Sequence, residues 1–151
     1  MPMPHAYRTA SKDWQAFLAD AKDRMGLTSD NMTYTAVDGV LQTFRRRLSV
    51  EQALAFADIL PAVLRALFVY RWRPGPCEPW ADRASLAAEA QAVRKDHNLT
   101  PDSCIEDTAW ALRRAVRQID LDRVLAGIGP EAQAFWAVDV QDPHELERRF
   151  P

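Results

Sequence analysis

Residues 36–72 read AVDGVLQTFRRRLSVEQALAFADILPAVLRALFVYRW, and this stretch decides the fold. Its apolar residues recur at the spacing that places side chains on one face of a helix: Val37, Val40, Leu41, Phe44 and Leu48. Ser49 and Gln52 fit a capping box, so the pattern predicts that this helix ends at Leu48 and that another begins at Ser49. Pro61 suits the first turn of a helix but not its interior, so a third helix begins there.

Helical patterns continue on both sides of this stretch. An apolar stripe follows Ser11, which can cap a helix, and the stripe ends at Gly26. After the stretch, residues 73–81 (RPGPCEPWA) contain three prolines and a glycine, which excludes regular structure and makes this segment a connector. Trp72 and Trp80 are too large and apolar to remain in solvent, so we expect them to hold the connector against the helices.

Four further helices are predicted after the connector. The fifth begins at Asp82 or Ala84, and its apolar side carries Leu86, Ala90, Val93 and His97. The sixth begins at Thr100-Pro101, because threonine can cap a helix and proline suits its first position. Its apolar stripe consists of Ile105, Ala109, Leu112, Val116 and Ile119. Asp120 can cap a seventh helix, and Pro130 begins an eighth.

The two halves of the chain resemble each other at a shift of about 70 residues. Corresponding positions include Val40 with Leu112, Phe44 with Val116, Ser49 with Asp120, and Pro61 with Pro130. We therefore predict an all-α fold in which a tandem repeat of two similar four-helix units packs into one compact bundle. The predicted organisation is a flexible arm (1–10), a first helical repeat (11–72), the Pro-rich connector (73–81), a second helical repeat (82–138) and a charged tail (139–151).

Length and charge describe an ordinary soluble protein. The 151 residues carry a net charge of −2, and a dedicated nucleic-acid binder usually has a basic excess, so nucleic acid is an improbable partner. Residues 1–75 contain 10 basic and 7 acidic side chains, whereas residues 76–151 contain 9 and 14. Cys77 and Cys104 form no CxxC pair, and no apolar run reaches the roughly 18 residues that would span a bilayer. These features predict a cytoplasmic protein with no membrane association.

One run of residues, RRRLSVEQALAFADILPAVLRALFVYRWRP, resembles the bacterial domain-of-unknown-function family 2267. The matching positions are Arg47, Leu48, Ser49, Glu51, Leu60, Pro61, Arg65, Tyr70, Trp72 and Pro74. The flanking sequence extends the resemblance over roughly residues 11–140. Asp58-Ile59 departs from the small residues and glutamine that usually precede the Leu-Pro pair. The resemblance implies an all-helical tandem fold and no established reaction, cofactor or catalytic residue.

Arginines and aromatic residues gather around the Ser49 corner and the connector. The candidate interaction surface, which we call the arginine–tryptophan cluster, comprises Arg45, Arg46, Arg65, Tyr70, Arg71, Trp72, Arg73 and Trp80. Such a cluster could stack on bases or bind an acidic partner. Alternatively, the consecutive arginines point in different directions around a helix, and Arg65 pairs with Asp58 or Glu51. The sequence does not decide between a binding surface and a packed seam.

A weaker pattern lies around the start of the sixth helix. His97, Asp102 and Glu106 could meet there, and an imidazole with carboxylates suits a divalent metal. The acidic residues are also favoured in a first helical turn by the helix dipole, which accounts for them without a metal. Cys104 at the same helix start could be a nucleophile, although a small buried apolar role fits its place in the repeat better.

The function expected from the sequence is a non-enzymatic protein-interaction module that binds a partner protein or itself, through the groove between its two repeats or through the aromatic connector. The alternatives are nucleic-acid binding through the arginine–tryptophan cluster and a helical bundle that binds a small ligand or metal. We expect no cofactor and assign no catalytic residue, because the sequence has no Gly-rich phosphate loop, GxSxG or HExxH motif.

Overall fold

The computed structural model describes residues 3–94 and 99–147, and all regular structure in these ranges is helical. The α-helices are α1 (His5–Arg8), α2 (Ala10–Met25), α3 (Asp30–Arg45), α4 (Val50–Asp58), α5 (Ala62–Val69), α6 (Arg83–Ala92), α7 (Cys104–Ala115), α8 (Gln118–Ile128) and α9 (Pro130–Phe135). A 3₁₀ helix follows at Pro143–Leu146. The predicted all-α class is therefore confirmed. None of the helices in the described ranges has both the length and the apolar character needed to cross a bilayer.

The corner between α3 and α4 forms as the sequence predicts. The Ser49 side chain accepts a hydrogen bond from the Gln52 backbone N–H (3.2 Å), and the Gln52 side chain accepts one from the Ser49 N–H (2.9 Å). This reciprocal pair satisfies two backbone donors at the start of α4. Pro61 lies immediately before α5, where its missing N–H costs no helical hydrogen bond. The capping box and the proline thus separate three short, consecutive helices.

Both halves of the chain share one aromatic core. The Phe44 ring on α3 lies 4.8 Å from that of Phe56, 5.0 Å from that of Phe135 and 5.3 Å from that of Trp136, measured between ring centroids. The predicted apolar face is buried: Val37, Val40, Leu41 and Phe44 on α3, and Leu48 in the turn that follows. The prediction that the helix continues to Leu48 is wrong, because α3 ends at Arg45. The main contacts between the halves place α2 against α7, α3 against α6, and α4 against α8. The core therefore depends on residues from both ends of the chain.

The crossing of α3 and α6 is unusually close. A Cβ atom placed on Gly39 would lie 2.5 Å from the backbone oxygen of Ala90. Small residues on α6, among them Ala87 and Ala90, are buried in this contact. Only glycine allows the two backbones to approach this closely without a clash.

Predicted helix boundaries in the second half are wrong at two places. The sixth predicted helix is α7, and it begins at Cys104 instead of Thr100-Pro101, because the Pro101 carbonyl closes a turn with the Cys104 N–H (3.1 Å). Asp120 does not cap the next helix, since α8 begins at Gln118. The backbone is extended at Val116, which resets the helical register and leaves Ile119 70% exposed instead of buried.

Smaller differences occur near the termini and after α6. The residues predicted as an arm contain the short helix α1, and α2 begins at Ala10 with no side-chain cap instead of being capped by Ser11. Helix α6 ends at Ala92, and His97 lies outside the described residues. The connector has no regular structure, as predicted, and Trp72 and Trp80 pack partly buried against the core.

Candidate interaction site

Arg45 of the arginine–tryptophan cluster serves the fold. Its Nη1 donates hydrogen bonds to the carbonyl oxygens of Phe68 (2.9 Å) and Tyr70 (3.2 Å). These carbonyls lie at the end of α5 and have no partner within the helix, so Arg45 stabilises that end. Burial lowers the pKa of the Arg45 guanidinium, with Asp38 acting in the opposite direction.

Arg65 fastens the corner between α4 and α5. Its guanidinium donates to three backbone oxygens, those of Ala57 (2.9 Å), Asp58 (3.2 Å) and Leu60 (3.2 Å). The predicted carboxylate pairing of Arg65 is thus replaced by bonds to backbone carbonyls. Tyr7 of α1 accepts a further bond from Arg65 through its hydroxyl (3.2 Å), which ties the N-terminal helix to this corner.

Arg46 and Arg47 converge on one carboxylate of α6. Arg47 makes a bidentate pair with Glu89, with N–O distances of 2.6 and 2.8 Å, and Arg46 approaches the same carboxylate at 3.2 Å. Arg47 is buried and also donates to the carbonyls of Thr43 (2.8 Å) and Pro79 (3.2 Å). The hydrogen bonds from Arg47 are the largest cause that lowers the pKa of Glu89. This group holds α3, α6 and the connector together.

The cluster has three exposed arginines, and one of them, Arg46, pairs with Glu89. Arg71 and Arg73 are exposed, and within residues 3–94 and 99–147 neither forms an ion pair. Arg71 has a φ of 51°, a left-handed conformation that is costly for a residue with a side chain. Its guanidinium lies 5.2 Å from the ring centroid of Tyr70, which is itself 58% exposed. A cation and an aromatic ring are thus presented to solvent together.

Arg71 and Arg73 border a groove of about 330 Å³, which lies between the C-terminal end of α3 and residues 71–78. We call it the basic groove and define it by Arg46, Arg71, Trp72, Arg73 and Glu78. Glu78 is the one carboxylate on its wall among the described residues. Four arginines, counting Arg45, line the groove together with one glutamate. Because Arg71 and Arg73 have no ion pair among the described residues, the groove favours a negatively charged ligand.

Trp80 does not join the basic groove. Its ring centroid lies 6.0 Å from that of Phe44 and 6.4 Å from that of Phe135, and its partly buried side chain packs on the core. Trp80 therefore covers the edge of the aromatic core. The cluster inferred from the sequence divides into this covering residue, the internal arginines and the basic groove.

The candidate metal ligands do not form a metal site among the described residues. His97 lies outside them, Asp102 is exposed and accepts a hydrogen bond from the Gln91 amide (2.9 Å), and Glu106 is half-buried. No group of three His, Cys, Asp or Glu side chains that could hold a metal occurs in residues 3–94 and 99–147. Cys104 is fully buried, and burial raises the pKa of its thiol to about 11. A thiol that stays protonated at neutral pH is a poor nucleophile.

Sequence reasoning did not identify the residues of a second, larger groove. It measures about 560 Å³ and lies between α1, the α4–α5 corner and the α7–α8 corner. Asp13 and Asp58 line it from the first half of the chain. Arg117, Asp120 and Arg123 line it from the second half, where Asp120 lies 3.9 Å from Arg117 and 3.5 Å from Arg123. The repeat pattern predicts a groove between the halves, but only the folded arrangement shows which charges border it.

Comparison with known protein families identifies a match. The model of a family described as "Uncharacterized conserved protein (DUF2267)" matches residues 14–135. No curated protein matches the chain.

Proposed function

The chain belongs to the DUF2267 family of uncharacterized conserved proteins, and from that premise we propose that it is a non-enzymatic protein-interaction module that binds an acidic segment of a partner protein in the basic groove. The observation that carries this proposal is the exposure of Arg71 and Arg73, which have no carboxylate partner among the described residues. Other arginines of the same cluster are used in the fold, as Arg45 and Arg65 illustrate.

We further propose that the scaffold is a tandem repeat of two four-helix units, α2–α5 and α6–α9. Exchanging the units converts the contact between α2 and α7 into one between α6 and α3, and both contacts occur. The same exchange maps the contact between α4 and α8 onto itself. These paired features support an internal duplication.

The composition of the basic groove suits a protein ligand. Arginine and tryptophan are enriched among the residues that contribute most to protein–protein binding, because they combine charge or hydrogen bonding with a large apolar surface. Trp72 and Tyr70 can contact apolar side chains of a partner while Arg71 and Arg73 pair with its carboxylates. The basic excess of residues 1–75 would steer an acidic segment toward this half.

Nucleic-acid binding is the alternative that the geometry favours less. Tight binding to nucleic acid requires several simultaneous contacts to phosphates. Arg45, Arg47 and Arg65 donate to protein oxygens, so most of the charge that suggested such a role is already used. A small-ligand role would use the larger groove, whose volume of about 560 Å³ lies in the range of small-molecule sites.

The experiment compares two double variants with the same change in charge. Arg71→Gln/Arg73→Gln removes the exposed arginines of the basic groove, and Arg8→Gln/Lys12→Gln removes two exposed charges of α1 and α2. Fluorescence anisotropy at low salt would measure binding of a labelled ten-residue peptide rich in Glu and Leu. We expect the groove variant to bind about five- to thirty-fold more weakly than wild type, since each exposed ion pair contributes about 0.5–1 kcal/mol. We expect the control variant to change little.

Three results would contradict the proposal. Wild type could fail to bind the acidic peptide, or the control variant could lose as much affinity as the groove variant. In the third, a single-stranded oligonucleotide of matched length and charge binds more tightly than the peptide, with the steep salt dependence of phosphate contacts. That third result would assign the basic groove to nucleic acid.

A further inference from the structure

The C-terminal segment of the described chain docks on the helical body through few contacts. We call residues 139–147 the strap, and it contains the 3₁₀ helix Pro143–Leu146. Leu146 is 7% exposed and is the one buried side chain of that helix, while Val140 packs against the core in a partly buried position. Most other side chains of the strap face solvent.

Four polar contacts hold the strap on a surface that we call the seat, which is formed by Arg24, Trp110, Arg114 and Gln118. The Glu145 carboxylate accepts a hydrogen bond from the Trp110 indole N–H (2.9 Å) and lies 3.6 Å from the Arg24 guanidinium. The backbone oxygen of Glu145 accepts a hydrogen bond from Arg114 (2.7 Å), and that of Leu146 accepts one from the Gln118 amide (3.2 Å). The helical body therefore contacts the strap through one carboxylate, one leucine side chain and two backbone carbonyls.

The seat is held in place by groups outside the strap. The guanidiniums of Arg24 and Arg114 lie 5.0 and 4.7 Å from the Trp110 ring centroid. Buried Asp20 on α2 pairs with Arg114 at 3.1 Å, and buried Asp107 on α7 lies 3.9 Å from Arg24. Because these carboxylates fix the arginines, the seat should keep its shape when the strap leaves.

We propose that this seat, formed by Arg24, Trp110, Arg114 and Gln118, is a peptide-binding site for a Glu-Leu segment of a partner protein, and that the strap occupies it within the same chain. Two of the four polar contacts go to backbone oxygens, which any segment of similar turn geometry can supply. The Glu carboxylate and the Leu side chain provide the sequence requirement. The seat shares no residue with the basic groove, so this inference does not rest on the proposed function.

Competition between the strap and a partner gives the proposal a measurable consequence. A ligand tethered in the same chain acts at an effective concentration in the millimolar range, so an external peptide must displace it. Leu146→Asp places a charge in the buried position and should release the strap. Glu145→Gln is a milder variant that keeps Leu146 and weakens the carboxylate contacts.

The test uses the full-length chain and a fluorescein-labelled peptide of residues 139–147, DVQDPHELE. We expect the Leu146→Asp protein to bind this peptide at least about tenfold more tightly than wild type does, because the competing strap is gone. Adding Trp110→Phe to that protein removes the indole donor and should weaken binding again. A peptide carrying Asp in place of its leucine is the matched control and should not bind. Circular dichroism and thermal melting show whether each variant is folded, and Glu145→Gln replaces Leu146→Asp if the latter is not.

Several outcomes would overturn the proposal. The released, folded variant could fail to bind the peptide, or it could bind the control peptide equally well. Equal affinities of wild type and the released variant would show that the strap does not occupy the seat. A concentration-dependent dimer that requires Leu146 would assign the seat to the strap of a second copy instead of a different partner.

Discussion

Gly39→Ala tests the close crossing of α3 and α6. The new Cβ would lie 2.5 Å from the backbone oxygen of Ala90 and 3.2 Å from its carbonyl carbon, whereas ordinary contacts begin at 3.4 Å. Since both atoms belong to the backbone of a helix, no side-chain rotation relieves the clash. The helices must therefore move apart by several tenths of an ångström along a buried seam. Overpacking typically costs about 1–3 kcal/mol, and a 2.5 Å contact with a backbone atom that cannot rotate away falls in the upper part of that range, about 2–3 kcal/mol.

Gly39→Ala also increases the helix propensity of α3, and this gain must be subtracted from the cost of the clash. Alanine is better than glycine in a helix by about 1 kcal/mol, so the expected net loss is about 1–2 kcal/mol. For a chain of this length, that loss lowers the melting temperature by roughly 2–8 °C. Thermal melting followed by circular dichroism would measure it.

Gly127→Ala provides the matched control for this experiment. Gly127 lies within α8, and a Cβ placed there would meet no atom within 4 Å. This variant gains helix propensity without a clash, so we expect it to be as stable as wild type or more stable by up to about 1 kcal/mol. The reasoning is refuted if Gly39→Ala melts at or above the wild-type temperature, because α3 and α6 would then not cross at this distance.

Three further predictions address the core, the corner and a charged pair. Phe44→Ala should lose about 3–5 kcal/mol in urea unfolding, because its fully buried ring contacts aromatic side chains from both halves; wild-type stability would contradict the register of α3. Ser49→Ala should lose about 1 kcal/mol, since it removes the cap of α4; no change in thermal melting would mean that the cap does not stabilise the fold. The pKa of Glu89 is lowered below its ordinary value near 4.5, so its contribution to stability is present above that pH and is lost as pH falls through the folded-state pKa. Glu89→Gln should therefore show a smaller loss of stability between pH 7 and pH 3 than wild type, and an equal loss would show that Glu89 is not the group responsible.

Much of the first half of the fold was predictable because its signals are local, although the predicted arm contains α1 and Ser11 does not cap α2. The capping box needs only Ser49 and Gln52, and the separation of α4 from α5 needs only Pro61. The apolar face of α3 repeats regularly enough for its buried side to be read from the sequence. Each of these signals acts within about four residues along the chain, and no other part of the structure opposes it.

The second half was harder to predict because several residues compete to begin the same helix. Thr100 followed by Pro101 is the local signal that predicts an earlier start, yet α7 begins after Ser103, whose side chain forms no cap hydrogen bond. The turn closed by Pro101 and Cys104 decides in favour of the later start. The extended backbone at Val116 then ends α7 and shifts the apolar pattern of the following residues. The prediction that Ile119 lies on the buried side is therefore wrong.

The candidate site depends on distances that the sequence does not contain. Arg47 and Glu89 are 42 positions apart in the chain, yet they form the shortest ion pair of the Arg45–Arg47 run. The sequence predicts a basic and aromatic region there. It does not predict that Arg47 is internal while Arg71 and Arg73 stay exposed, because the difference follows from how the connector crosses α3.

In this protein, arginine side chains often satisfy the unpaired carbonyl oxygens at the C-terminal end of a helix. In many helices a terminal glycine allows the backbone to satisfy them. Gly26 ends α2 in the usual left-handed conformation, but carbonyls at the C-terminal ends of α4, α5 and α9 receive hydrogen bonds from arginine side chains. These donors are Arg65, Arg45, Arg83 and Arg113, and each comes from an element other than the last turn that it stabilises. Every such bond satisfies a carbonyl and joins two parts of the fold at once. The count of basic residues therefore overstates the charge available for binding, and a search for partners should begin with the few arginines that bond to nothing in the described chain.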